Sequence, residues 1–209
     1  MNDELSAAGV RAGRPDDVGP VVTLHLESFP SFFLTFLGPA FLTLLYSEIL
    51  SSAEGILLVA EHEGRLAGFV AGVTRQTGFY AGLVRKRWWS FARASLGALL
   101  RRPRIAGRLL RALGKREEAA RASAEACLMS IGVSPRSAGS GTGKALVRSF
   151  SAELKRRGID RFCLTTDRIE NDAVNAFYEQ LGFRVARTFT TPEGRVMNEY
   201  LKTLERPGS

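Results

Sequence analysis

Three glycines, Gly139, Gly141 and Gly143, alternate with small polar residues between an apolar run and an amphipathic stretch. The apolar run, residues 126–133, predicts a β-strand. The stretch 143–157 predicts a helix, because apolar side chains recur at helical spacing: Leu146, Val147, Phe150 and Leu154. The glycines therefore lie at the beginning of a helix, where free backbone N–H groups and the positive end of the helix dipole favour an anion, typically phosphate.

Two common nucleotide-binding loops do not fit these residues. A P-loop would need glycine at Ala138 and serine or threonine at Ala145. A dinucleotide-binding GxGxxG loop would need glycine at Lys144 or Leu146. The stretch therefore predicts a phosphate-binding loop of another kind.

The loop fits the pattern V-x-P-x-x-R/Q-G-x-G-x-G/A, with Val133, Pro135 and all three glycines in place. A second block, NDAVNAFYEQLGF at residues 171–183, is similar to N-x-x-A-x-x-x-Y-E-x-L-G-F. In this order and at this spacing, the two blocks resemble the GNAT superfamily of acyl-CoA-dependent N-acyltransferases. One position departs from the family pattern, because Ala138 replaces the usual arginine or glutamine.

The resemblance is close over residues 126–201 and weaker over residues 10–73. It implies an α/β (α+β) fold whose mixed, mostly antiparallel central sheet is flanked by helices. The fourth and fifth strands of that sheet would be parallel and would splay apart to admit the acyl donor. The resemblance also implies acetyl-CoA as that donor, with no metal ion.

Carried over residue by residue, the resemblance implies that the backbone of the fourth strand pairs with the pantetheine arm and that loop amides hold the pyrophosphate. The predicted donor-binding residues are Ile131, Val133, Ala138, Gly139, Ser140, Gly141, Thr142, Gly143, Lys144, Asn171 and Tyr178. Lys144 compensates for Ala138 in one interpretation and is an ordinary exposed lysine in the other. Asn171 caps its helix, contacts the pantetheine, or does both.

Tyr178 occupies the family's tyrosine position, and the resemblance implies that it is catalytic. A phenol is protonated at neutral pH and can donate its proton to the departing thiolate. The alternative is an aromatic side chain that packs on the sheet, with its hydroxyl bonded to a backbone carbonyl. No general base is predicted, because Glu27, Glu61, Asp167, Glu199 and a water chain remain equal alternatives.

The bulk composition is that of one globular domain. The chain has 209 residues, of which 45% are hydrophobic, enough for a sizeable core. Cys127 and Cys163 lie in apolar runs and predict reduced, buried thiols. The only histidines, His25 and His62, are far apart in sequence, so no histidine-based metal site or catalytic triad is predicted.

An uncharged stretch of twenty residues, 28–47, is long enough to span a bilayer. Pro30, Gly38 and Pro39 interrupt it, and the pattern therefore predicts a buried pair of helices instead. The polar and acidic residues 1–9 argue against a secretory signal. We therefore expect a cytoplasmic location, with a peripheral position at a membrane surface as the alternative.

The remaining elements follow from local patterns. Helices are predicted at 18–29 and 39–50, and the second would begin with a proline at a tolerated position. Strands are predicted at 10–12, 56–61, 65–73, 161–166, 183–188 and 195–201.

A basic segment interrupts this pattern between the third and fourth strands. Residues 85–116 contain eleven basic residues and no acidic one, so a chain with a net charge of +8 carries −3 elsewhere. We predict a single domain, residues 1–209, with a helical insertion at about 76–124. The insertion is expected on the side of the sheet where the acceptor approaches.

Three interpretations of this insertion stay open. It is a solvated basic face that packs on the domain or on a second subunit in a homodimer. It is an acceptor-side or membrane-surface element, in which residues 80–116 face anionic lipid. It binds nucleic acid, which its charge favours but no recognisable motif supports.

The predicted activity is direct transfer of an acetyl group from acetyl-CoA to a primary amine in a ternary complex. Because of the basic segment, an anionic small molecule such as an amino sugar nucleotide is a better acceptor than a polyamine, and a protein N-terminus or lysine stays open as an alternative. The alternative is a non-catalytic CoA-binding module, or a module for membrane-surface or nucleic-acid interaction.

Overall fold

The structure, a computed structural model, describes residues 9–30, 33–76, 79 and 122–205. Seven strands form one sheet in the order β1-β2-β3-β4-β5-β7-β6. The strands are β1 (Val10–Ala12), β2 (Gly55–His62), β3 (Arg65–Val73), β4 (Ala126–Val133), β5 (Arg161–Asp167), β6 (Arg184–Thr190) and β7 (Val196–Thr203). The α-helices of the described residues are α1 (Val18–Ser28), α2 (Phe33–Phe36), α3 (Pro39–Ser51), α4 (Thr142–Arg156) and α5 (Asp172–Gln180).

Helices cover both faces of this sheet. Side chains alternate along a strand, so Val59 and Phe69 pack with α1 and α3, whereas Leu58 and Val70 pack with α4 and Tyr178 of α5. We call these the α1/α3 face and the α4/α5 face. Each face has its own buried apolar cluster, and the sheet separates the two.

Strands β4 and β5 are the parallel pair of an otherwise antiparallel sheet, as the family resemblance implied. They pair only at Ala126 with Phe162 and at Cys127 with Cys163. Beyond these two positions β4 and β5 no longer pair with each other, which leaves an opening through the sheet. The expected splayed strands are thus confirmed.

A β-bulge lies at the position where the pairing of β4 with β5 stops. Gly72 of β3 pairs with Leu128 and Ala71 pairs with Ser130, so Met129 is one extra residue in β4. In a regular strand, side chains two residues apart share a face. Here Leu128 packs in the α4/α5 cluster, whereas the Ser130 hydroxyl contacts Tyr46 of α3 on the other face. The bulge therefore turns Ser130 to the α1/α3 face.

The uncharged stretch forms helices that pack in the core. Gly38 and Pro39 begin α3, whose apolar stripe is buried: Phe41, Leu42, Leu45 and Ile49. Among the described residues, no helix has the length and apolarity needed to cross a membrane. The prediction of a buried helix here is confirmed.

The basic segment itself lies outside the described residues. The residues next to it pack on the α1/α3 face, where Phe79, Ala122 and Ala124 join the buried cluster or contact it. The backbone N–H of Ser123 donates to buried Glu199 at 2.7 Å. The helical character, the charge distribution and the partners of this segment therefore remain predictions from sequence.

The beginning of α1 is tied to β1 by a part-buried ion pair. Arg11 donates to both carboxylate oxygens of Asp17, at 2.7 and 2.8 Å, and the backbone N–H of Arg14 donates to Asp17 as well. These donors hold the pKa of Asp17 below its ordinary value, Arg11 being the larger cause. The ion pair fixes the start of the helix that forms one wall of the site described below.

Asp17→Asn is expected to lower the free energy of unfolding by about 1.5–3 kcal/mol at pH 7, the scale of hydrogen bonds to a charged group. Because the folded-state pKa is depressed, this stabilisation is present above the unfolded-state pKa of about 4 and is lost as the pH falls through the folded-state pKa. Urea unfolding of parent and variant at neutral and acid pH measures both. Asp16→Asn, at an exposed neighbour, is the control; an equal loss in both variants would contradict the role of the ion pair.

Candidate functional site

A cleft of about 790 Å³ passes through the opening between β4 and β5. On the α1/α3 face it is lined by α1 and α3, and on the α4/α5 face by the glycine-rich loop, the first turn of α4, and α5. Residues of β4 and β5 line the opening between them. The two faces of the sheet are thus connected by one continuous space.

The loop that borders the cleft on the α4/α5 face, residues 134–141, needs glycine for its backbone. Gly139 has φ +76° and Gly141 has φ +85°, in the left-handed region that side chains disfavour. A Cβ atom at either position would meet nothing within 4 Å. Backbone conformation, rather than lack of space, therefore accounts for glycine at these two positions.

Four backbone N–H groups of this region, those of Gly139, Gly141, Gly143 and Lys144, have no hydrogen-bond partner among the described residues. They surround the beginning of α4, where the helix dipole is positive. Residues 126–152 contain three basic and no acidic side chains. This arrangement fits a pyrophosphate group, because free amides and local positive charge both favour an anion.

Of the eleven predicted donor-binding residues, ten line the cleft: Ile131, Val133, Ala138, Gly139, Gly141, Thr142, Gly143, Lys144, Asn171 and Tyr178. Ser140 is outside the lining. Its hydroxyl donates to the carbonyl of Ser137 and bonds the Thr142 hydroxyl, both at 2.7 Å. The Ser140 side chain therefore shapes the loop.

Tyr178 of α5 lies in the wall of the cleft with 6% of its surface exposed. Its ring packs against Phe177, Phe183 and Tyr200. Burial raises the pKa of Tyr178 to about 12, so the phenol keeps its proton at neutral pH. Among the described residues its hydroxyl has no hydrogen-bond partner, so the alternative of a backbone carbonyl partner does not hold within this part of the chain.

Asn171 precedes α5 but does not cap it with its side chain. Its Nδ2 instead donates to the Thr166 hydroxyl and to the Asp167 carbonyl, both at 2.9 Å. Side-chain capping, one of the alternatives for this residue, is therefore wrong. Asn171 joins the end of β5 to the start of α5 and lines the cleft.

Of the four carboxylates considered as general base, Asp167 is the one that lines the cleft. It is paired with Arg195, whose Nε donates to Asp167 Oδ1 at 3.0 Å. Glu199 is 2% exposed and accepts from Arg187 at 2.8 Å. Glu61 is paired with Arg11, and Glu27 is exposed on α1. Within the residues that the structure describes, no group of three or more His, Cys, Asp and Glu could hold a metal ion.

The structure also places polar residues in the cleft that sequence reasoning missed. His25 and Ser28 of α1 and Ser130 of β4 line it on the α1/α3 face. Tyr46 of α3 links two of them, with its hydroxyl 2.7 Å from His25 Nδ1 and 3.0 Å from Ser130 Oγ. No sequence motif joins these residues, because Tyr46 and Ser130 are 84 positions apart.

A mixed sheet that opens between two parallel strands, with a glycine-rich loop at the start of the next helix, is the arrangement that the resemblance implied. Residues 21–183 match the model of the acetyltransferase (GNAT) family. Because this match extends over more than half of the chain, the protein belongs to that family. Enzymes of the family use acetyl-CoA as donor.

Solved structures share the fold at low identity. A GNAT-family protein from Desulfovibrio desulfuricans is 17% identical with a TM-score of 0.61, and the match covers 95% of this chain and 100% of the other. Ard1 from Thermoplasma volcanium is 15% identical with a TM-score of 0.61, covering 96% and 99%. An aminoglycoside 6′-N-acetyltransferase complexed with coenzyme A is 15% identical with a TM-score of 0.60, covering 95% and 98%. No curated protein sequence matches the chain significantly.

Proposed function

We propose that this protein transfers an acetyl group from acetyl-CoA to a primary amine. The observation that supports this most directly is the cleft through the sheet. A phosphate-compatible loop lies at its α4/α5 end and neutral polar side chains lie at its α1/α3 end. Donor and acceptor can thus enter from opposite faces and meet between β4 and β5.

The donor fits the residues present on one side of the cleft. The free amides of residues 139–144 would hold the pyrophosphate. Past Cys127 the edge of β4 that faces β5 has no strand to pair with, so its backbone groups are available to the amide groups of the pantetheine arm. Ala138 supplies no side-chain donor, and we expect the loop to bind through its backbone and through Lys144.

When bound, acetyl-CoA supplies a thioester whose carbonyl carbon accepts a neutral amine and whose sulfur leaves as a thiolate. Tyr178 is suited to donate a proton to that sulfur, because its phenol is protonated, lines the cleft and has no partner for its hydroxyl among the described residues. The wall of the cleft beside it, formed by Val174, Phe177 and Leu164, is apolar and limits access of water to the thioester.

The finer proposal concerns the acceptor. An anionic small molecule, such as an amino sugar nucleotide, is supported by the eleven basic residues of 85–116. The flanks of that segment pack on the α1/α3 face, the same face as the acceptor end of the cleft. An anionic membrane surface and a second copy of the chain stay predictions for this segment, which lies outside the described residues.

Acetyl-CoA at about 100 times its Kd is expected to raise the unfolding free energy by about 2.7 kcal/mol. For a chain of this length, this corresponds to a rise in Tm of roughly 5–10 °C. Thermal unfolding with acetyl-CoA, longer acyl-CoAs and ADP as a control measures the effect. The absence of a rise at millimolar acetyl-CoA would contradict donor binding.

Release of free thiol from acetyl-CoA, measured with a panel of amines, then tests the transfer itself. Amine-dependent thiol release supports the proposed function. A rise in Tm without amine-dependent thiol release would instead support a module that binds CoA without catalysis.

A further inference from the structure

A hydrogen-bonded chain of three side chains lines the α1/α3 end of the cleft. It runs from Ser130 Oγ through the Tyr46 hydroxyl, 3.0 Å away, to His25 Nδ1, 2.7 Å further on. Tyr46 and His25 are each 1% exposed, whereas Ser130 is half-buried and borders the cleft. The two buried members thus hold the third at the surface of the cleft.

Two buried polar atoms next to this chain have no hydrogen-bond partner among the described residues: His25 Nε2 and Ser28 Oγ. Both residues line the cleft and lie three positions apart on α1, so they share a face of the helix. An unpaired buried polar group costs about 1–3 kcal/mol, and native proteins retain few of them. Because both residues line the cleft, a polar group of a ligand in the cleft can supply the partner.

The geometry places Ser28 and Ser130 within reach of one small ligand. Ser28 Oγ lies 3.1 Å from the position a Cβ atom would occupy at Gly132. Gly132 and Ser130 are two residues apart in β4 and share its α1/α3 face, about 7 Å from each other. Side chains beside neighbouring positions of this face can bind two polar groups on adjacent atoms of one ligand.

The charges at this end of the cleft favour a neutral group next to the amine. Burial lowers the pKa of His25 to about 4, so its imidazole is neutral at pH 7. The charged side chains that line the cleft in the described ranges are Lys144, Asp167 and Arg195, and none of them is on α1 or α3. The other lining residues here are Phe29, which follows α1, and Leu45 and Ile49 of α3, all of them apolar.

We propose that Ser130, His25 and Ser28 form the acceptor subsite and bind a primary amine that carries a neutral hydroxyl or amide on an adjacent carbon. Ser130 accepts an N–H of the amine, and His25 and Ser28 bind the neighbouring group. Tyr46 is a positioning residue, because it donates to His25 Nδ1 when Ser130 donates to it. This leaves the Ser130 oxygen free to accept and fixes the proton of His25 on Nε2. The proposal rests on the proposed acetyl transfer.

Two matched amines test the subsite: trans-2-aminocyclohexanol, which has the adjacent hydroxyl, and cyclohexylamine, which lacks it. Thiol release from saturating acetyl-CoA gives kcat/KM for each. In Ser28→Ala we expect kcat/KM for trans-2-aminocyclohexanol, divided by kcat/KM for cyclohexylamine, to be about tenfold lower than in the parent protein. The difference in intrinsic reactivity of the amines cancels in this comparison with the parent protein.

Tyr46→Phe keeps the ring and removes the hydroxyl that links Ser130 to His25. We expect the KM of both amines to rise about tenfold, while the KM of acetyl-CoA stays within twofold. A structural defect would not separate the two substrates in this way.

Ser51→Ala, which removes an exposed hydroxyl from α3, is the control for Ser28→Ala.

The Tm provides a second readout. The Ser28 hydroxyl bonds no described residue, so Ser28→Ala should not lower the Tm of the free protein. An unchanged amine ratio in Ser28→Ala together with unchanged amine KM values in Tyr46→Phe would overturn the subsite.

If neither amine is acetylated by the parent, the panel of amines described above tests the proposed transfer separately. Ligand-observed NMR with CoA present then decides the subsite. Preferential binding of aminocyclohexanol that Ser28→Ala abolishes supports it, and equal binding of the two amines overturns it.

Discussion

Tyr178→Phe is expected to lower kcat for acetyl transfer about 10²-fold or more, the scale of a lost general acid. The substitution removes one hydroxyl that has no partner among the described residues and leaves the packed ring in place. The Tm and the KM of acetyl-CoA should therefore change little. Steady-state thiol release at several pH values, with thermal unfolding of the same samples, measures all three quantities.

The pH dependence of kcat is a second test of Tyr178 as the general acid. A general acid works in its protonated form, and the pKa of Tyr178 is raised to about 12. Between pH 7 and 9, turnover of the parent should therefore not fall through loss of this proton. A parent whose kcat decreases in step with a titration in that range would contradict the assignment.

Tyr200→Phe is the matched control for Tyr178→Phe. Both tyrosines are buried in the same cluster, with ring centroids 5.9 Å apart. The Tyr200 hydroxyl, however, donates to Asn175 at 3.0 Å and to Glu179 at 3.2 Å. Tyr200→Phe should lower the Tm and leave kcat within about threefold, the opposite of the expectation for Tyr178→Phe. Equal losses of kcat would indicate a structural role for both residues.

Gly139→Val is expected to raise the KM of acetyl-CoA at least tenfold, with a smaller effect on kcat. Valine strongly disfavours φ +76°, so the loop must rearrange and re-aim its amides. Each hydrogen bond to a charged phosphate is worth about 1.5–3 kcal/mol, so the loss of one accounts for a tenfold effect. Initial rates over a range of acetyl-CoA concentrations give the KM.

Gly158→Val tests whether backbone strain at a glycine outside the loop also raises the KM of acetyl-CoA. Gly158 also has φ +76°, and a Cβ there would also meet nothing within 4 Å. It follows the last turn of α4, about 22 Å from the loop at 1.5 Å per residue. Both variants should lose similar stability, and the KM of acetyl-CoA should rise in Gly139→Val alone. A rise in both would refute the specific role of the loop.

Much of the fold was predictable because local patterns determined it. The apolar residues of 146–154 are spaced for one helical face, and Phe150 and Leu154 are fully buried there. The glycines of the loop adopt the positive φ values that only glycine reaches easily. Gly38 and Pro39 interrupt the uncharged stretch, and α3 begins there, as predicted. In each case the sequence pattern and the structure that it predicts lie within a few residues of each other.

The α1/α3 end of the cleft was not predictable, because its parts are distant in sequence. His25, Tyr46 and Ser130 come into contact through the packing of α1 and α3 on β4, and no local sequence pattern indicates these contacts. The extra residue of the bulge is a methionine, Met129, and no glycine at that position indicates a bulge in the sequence. Asn171 stands where a capping residue is expected, yet its side chain turns back to the end of β5. Tertiary contacts decided each of these outcomes.

The extra residue in β4 has a consequence for changes in chain length. Met129 lies on the same face of β4 as Ser130, and Leu128 and Ile131 lie on the other. Removing Met129 alone would leave this division intact. Removing or adding one residue between 130 and 133 would move the side chains beyond that point to the opposite face. The number of residues in β4 thus decides which of its side chains face the α4/α5 end of the cleft and which face the α1/α3 end.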